Sequence, residues 1–155
     1  MSSKTFPNLS LEQTLFDSGA KYVLGIDEVG RGAVAGPVAV GVALIDTQSA
    51  GFADIPAGLR DSKLLSERQR EALQPLITTW MHAGSVGMVE ASAIDEKGIV
   101  HSLALSASRA LTALLEQDGV AQAIARDGAV ILLDGTHNWL EGHTGGLPVT
   151  VRAKA

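Results

Sequence analysis

Asp27 and Glu28 stand side by side between two apolar runs, and Arg31 follows them between Gly30 and Gly32. Neighbouring carboxylates repel each other, and keeping both ionised beside an apolar core is costly unless a cation lies between them. Oxygen ligands on short side chains suit magnesium or manganese. Arg31 offers a planar positive fork that matches phosphate. The glycines would let backbone N–H groups come close to a phosphate or a sugar hydroxyl. Metal and phosphate contacts in one turn point to phosphodiester chemistry. The same residues could also simply end a strand in solvent, with the glycines making the turn.

The elements that must position this turn are legible on both sides of it. Tyr22–Ile26 and Val38–Ile45 read as strands, with Asp27 to Gly36 as the reversal between them. A regular strand sends successive side chains to opposite faces, so Asp27 and Glu28 reach one site only if the backbone leaves strand geometry there. Gly30 and Gly32 make such a departure cheap.

A third carboxylate, Asp134, ends the continuous apolar run Ala129–Leu133 and is followed by Gly135. Such a run suits a central strand buried on both faces. Ligands of open α/β sheets gather at strand ends, so Asp134 can meet Asp27 and Glu28 if the two strands are neighbours. Otherwise it merely begins a turn. Asp61, Ser62 and Lys63 form a polar cluster just ahead of Ser66-Glu-Arg-Gln69, a capping box opening a helix towards Trp80. Pro75 lies inside that span and predicts a kink or a break.

The remaining segments read as scaffold. Ser10–Phe16 is a short serine-capped helix behind a loose arm over residues 1–9, and residues 46–58 form a surface loop rich in Gly, Ala and Pro. Val86–Glu90 is a strand. Ser92 is expected to cap a short helix whose Asp95 and Glu96 suit its first turn. Glu90 is retained as a weaker site candidate. Ile99–Gln117 is the longest helix, with Leu103, Ala107, Ala110, Leu111 and Leu114 on one face and Ser102, Ser106 and Arg109 largely opposite. His137 and His143 are weak ligand candidates beside an all-oxygen set, and His82 and His101 read as helix or surface residues.

The 155 residues, 46% hydrophobic and 19% charged, fit one globular domain with a real core. The absence of cysteine excludes disulfides and thiolate metal sites and is compatible with a reducing cytoplasm. No apolar run is long enough to span a bilayer, so no membrane partner is expected. A net charge of -5 is unusual for a nucleic-acid binder, although a carboxylate-rich metal site accounts for part of it.

Three stretches, Asp27-Glu-Val-Gly-Arg-Gly32 with Ala35-Gly-Pro37, Asp61-Ser-Lys-Leu-Leu-Ser66, and Ala129–Gly135, together resemble the signatures of the bacterial type 2 ribonuclease H family, in the family's order. The resemblance implies an α/β fold, a ribonuclease H-like mixed sheet flanked by helices, over a single domain spanning residues 1–155. It implies a monomeric endonuclease acting in the cytoplasm on RNA paired with DNA, including ribonucleotides embedded in duplex DNA. Two metal ions, Mg2+ or Mn2+, would serve the reaction and leave 5′-phosphate and 3′-hydroxyl ends. Asp27, Glu28 and Asp134 would be the metal ligands and catalytic residues. Gly30, Arg31 and Gly32 would recognise the ribose 2′-OH, and Lys63 would hold a phosphate. A replication-associated protein is an implied partner.

One feature of the family is missing. Its members carry a fourth acidic residue shortly beyond the third, then helices bearing a tyrosine, whereas here no Asp or Glu follows Glu141 and Tyr22 is the only tyrosine. The sequence is therefore expected to stop short of the fourth ligand and to be weakly active or inactive. Two alternatives follow: a non-catalytic hybrid-binding fragment, or a dinucleotide-binding oxidoreductase using Gly30-Arg-Gly-Ala-Val-Ala35 as a fingerprint.

Overall fold

Alternating apolar runs and amphipathic helices assemble into a five-stranded sheet with helices packed on it. The computed structural model describes residues 8–47, 54–140 and 142–152. In chain order the elements are α1 (Ser10–Asp17), β1 (Tyr22–Val29), β2 (Val38–Asp46), a 3-10 turn (Ser62–Leu64), α2 (Glu67–Trp80), β3 (Ala83–Val89), α3 (Ala91–Lys97), α4 (Ile99–Leu115), α5 (Val120–Asp127), β4 (Ala129–Asp134) and β5 (Val149–Arg152). The strands lie in the order β3-β2-β1-β4-β5. The first three form an antiparallel meander, and β4 and β5 run parallel to β1 and to each other. The mixed α/β architecture expected from the sequence is the one observed.

One face of the sheet is closed by α4. Leu24, Val40, Ile131 and Leu133 are completely buried there against Ala107, Ala110 and Leu114. Strand parity carries the alternate residues to the other face, where Val23, Ile45 and Leu132 meet Phe16 of α1. That smaller cluster covers only part of its face. The carboxyl ends of β1 and β4 lie beyond it.

Several local expectations change. α2 runs unbroken from Glu67 to Trp80 with Pro75 inside it. The carbonyl of Glu71, which lacks a donor at position 75, belongs to an exposed residue, so water can satisfy it. α3 begins at Ala91 with Glu90 at its N-cap, and Ser92 makes no cap. Ser102 and Ser106 lie on the buried face of α4, where Ser102 Oγ donates to Gly98 O (2.9 Å) and Ser106 Oγ to Val38 O (3.3 Å). Hydroxyls paired in this way lose little on burial. Of the arm and loop expected at residues 1–9 and 46–58, residues 1–7 and 48–53 lie outside the described residues. Among the described residues, no helix is long and apolar enough to cross a membrane.

Candidate active site

β1 continues in strand geometry through Val29, past both acidic residues. The expected backbone departure at Asp27-Glu28 does not occur. Parity therefore separates the two carboxylates: Asp27 lies on the face of Gly25 and Leu132, whereas Glu28 lies opposite Val40 of the α4-covered core. Glu28 is held there by Arg31, whose Nη1 lies 3.4 Å from its carboxylate.

Asp134 is brought to Asp27 by register. β1 and β4 pair in parallel with Tyr22 opposite Ala129 and Ile26 opposite Leu133, so the next step sets Asp27 beside Asp134 on the same face. The meeting expected of these two strand ends is observed. Its electrostatic mark is on Asp27. Burial lifts its carboxyl above the ordinary aspartate range, a donated bond from the Glu28 N–H (2.9 Å) opposes this, and the charge of Glu28 raises it again. Lys63 then lowers it and Asp134 raises it, which places both within electrostatic reach.

Lys63 is delivered by a braced turn. Asp61 Oδ1 accepts the Lys63 N–H (2.9 Å) and caps the 3-10 turn. The capping box of Ser66 and Gln69 then starts α2, and Arg70 Nη1 reaches back to Leu65 O (2.7 Å). The cation thus stands on a turn tied to a helix, a more precise support than a free loop.

The glycine turn after β1 is also fixed. Ala33 N–H donates to Gly30 O (3.0 Å), and Gly30 adopts φ +93. A Cβ at Gly30 would lie 2.6 Å from Pro37 O, whereas Gly32 has open space around it. Gly30→Ala is therefore expected to lose about 1–3 kcal/mol of stability by combining left-handed strain with a backbone clash. Thermal denaturation of the variant against Gly32→Ala, which should change little, checks this.

Asp27 and Asp134 open onto a pocket of about 670 Å³ on the part of the sheet that α1 leaves uncovered. Its floor consists of small residues in register, among them Gly25, Gly41, Ala43 and Gly84. Glu12 of α1 also lines it, and burial raises that carboxyl above the ordinary glutamate range against a bond to its own backbone N–H. No local pattern points to Glu12, because only the packing of α1 on β1 brings it there.

Among the described residues, no three carboxylate or imidazole groups stand close enough to grip one metal ion together. The donor chemistry nevertheless suits a hard cation at Asp27 and Asp134: both offer only oxygen, both are negative, and positive charge would relieve the burial and repulsion that Asp27 carries. His137 bonds Thr136 (2.8 Å) instead of joining them. The dinucleotide alternative fails at the next element, because Gly30–Ala35 leads into β2 and not into the helix a pyrophosphate requires.

A mixed five-stranded sheet with acidic strand ends and helices on its faces defines a ribonuclease H-like protein. The structure of ribonuclease H2 from Pyrococcus horikoshii superposes with a TM-score of 0.61 at 28% identity, covering 86% of this chain and 63% of that one. A ribonuclease HIII, "Bst-RNase HIII in complex with Mn2+", shares the fold with a TM-score of 0.61 at 19% identity, covering 99% of this chain and 51% of that one. The model of the ribonuclease HII family matches residues 24–155, and the chain belongs to that family. Ribonuclease HII of Streptomyces griseus is 40% identical over 147 residues, which are 94% of this chain and 54% of the relative. The chain thus spans about half the length of the curated relatives it matches.

Proposed function

We propose that the protein hydrolyses the RNA strand of RNA/DNA hybrids, and ribonucleotides embedded in duplex DNA, at the Asp27–Asp134 strand ends. The observation that carries this reading is the juxtaposition itself: two register-matched carboxylates on one face, with a braced lysine within electrostatic reach and a glycine turn immediately after. Family membership supports the substrate class.

Asp27 and Asp134 would hold Mg2+ or Mn2+, and Glu28, which strand parity sets on the opposite face, would join them only when the end of β1 leaves strand geometry. Its partner is a weak obstacle: an exposed ion pair at 3.4 Å contributes about 0–1 kcal/mol. Releasing it also frees Arg31 for phosphate. When bound, the metal would supply Lewis-acid polarisation of the phosphodiester, a lowered pKa for the attacking water and stabilisation of the leaving 3′ oxygen, with two ions dividing these tasks. Backbone groups of Gly30, Arg31 and Gly32 would test for the ribose 2′-OH, which distinguishes RNA from DNA at one nucleotide. The open space at Gly32 leaves room for that approach. Lys63 would seat a phosphate of the same strand.

A phosphate contact has a signature that a structural lysine lacks. Lys63→Ala is expected to weaken hybrid and all-DNA duplex binding alike and to reduce the slope of log K against log salt by about 0.9. Fluorescence anisotropy over a salt series measures this. An unchanged slope would remove Lys63 from the interface.

A further inference from the structure

Among the described residues, β3 is an edge of the sheet, paired only with β2. A free edge presents unpaired N–H and C=O groups to any other strand, and a second copy of the same chain is the partner always present. The outer face beside this edge is also apolar: Val86 is 66% exposed and Met88 47%. All seven residues of β3 are apolar or small, so the strand carries no charged side chain of its own to discourage pairing.

Two long side chains, one on α4 and one just past its end, occupy this edge instead. Gln117, just past the end of α4, donates from Nε2 to Gly84 O (2.8 Å), and Arg109 Nη1 donates to Met88 O. Gly84 and Met88 are four residues apart, so their carbonyls point to the same side of the strand. That side is the one without a neighbouring strand. α4 can reach it because it lies directly over β3, with Ser85 Oγ bonded to Ala110 O (2.7 Å). Neither contact is needed to hold the helix, which is already anchored by the buried Ala107, Ala110 and Leu114.

We propose that Arg109 and Gln117 are edge guards, which close β3 against strand addition by a second copy of the chain. They act by occupying two of the carbonyls an incoming strand would need, on either side of the Val86 carbonyl, and Arg109 adds a positive charge at the edge. Exposed Val86 sits between the two guarded positions and would be buried by such pairing.

The test is the mass of the Arg109→Ala/Gln117→Ala variant, measured by light scattering over a concentration series, with circular dichroism confirming the fold. The expected result is a concentration-dependent rise towards about double the parent mass, reversed by adding Val86→Lys, since an edge lysine blocks pairing independently. The proposal is overturned if the double variant keeps the parent mass at every concentration, or if its association survives Val86→Lys. If the double variant does not fold, the single variants decide: each is expected to associate more than the parent, and parent-like behaviour of both overturns the proposal.

Discussion

Asp27→Asn is expected to abolish metal-dependent cleavage, with a loss of about three orders of magnitude in rate, or roughly 4 kcal/mol of transition-state stabilisation. Asn keeps the shape and removes the charge that a hard cation requires. Direct Mn2+ binding, followed by electron paramagnetic resonance, should weaken at least ~10-fold, and Asp134→Asn should do the same. Stability should move the other way. A carboxyl whose pKa is raised on folding holds its proton more tightly in the folded state, so its ionisation on going to neutral pH works against the fold. Metal-free Asp27→Asn should therefore melt at or above the parent temperature at pH 7. A variant that keeps Mn2+ affinity, or that loses both affinity and fold, would contradict the site.

The second large effect is structural. β3 and α4 approach so closely at Gly87 that an added Cβ would lie 1.9 Å from Ser106 O and 2.6 Å from Ala110 N. Both are helix backbone atoms, so no side chain can turn aside. Gly87→Ala is expected to cost about 3 kcal/mol or more by prising α4 from the sheet. The Ser106–Val38 and Ser85–Ala110 bonds, which staple that contact, would be strained together. Urea denaturation against Gly41→Ala, where a Cβ meets nothing within 4 Å, isolates the effect. A parent-like midpoint for Gly87→Ala would mean that α4 does not pack as described.

The sequence shows strand positions well because hydrophobic runs report burial directly. Ala129–Leu133 announces a central strand, and β4 is buried against helices and neighbours as that run requires. Register is different. That Asp27 falls beside Asp134, while Glu28 turns towards Arg31, depends on counting residues between paired strands, which no local pattern encodes. The sequence places the reversal from Asp27, yet β1 runs three residues beyond Ile26 because Asp27, Glu28 and Val29 still find partners in Gly41, Val40 and Ala39. α5 leaves no periodic signal in the sequence because its eight residues give only two buried positions, Val120 and Ile124. Polarity alone puts Ser102 and Ser106 on the solvent side, although a hydroxyl that bonds a backbone carbonyl is at home inside. Arg109 reads as a solvent-facing helix residue for the same reason, since nothing in a sequence says which helix lies over an edge strand.

The most direct measurement of the central claim is cleavage of a duplex carrying one ribonucleotide, run beside an all-DNA duplex, with Mg2+ or Mn2+ and with EDTA. Dependence is the readout, whatever the absolute rate. The account predicts cutting only at the ribonucleotide, only with metal, leaving a 5′-phosphate, and none by Asp27→Asn. Equal cutting of the all-DNA duplex, cutting in EDTA, or binding of the ribonucleotide duplex with no cleavage at any enzyme concentration would contradict it.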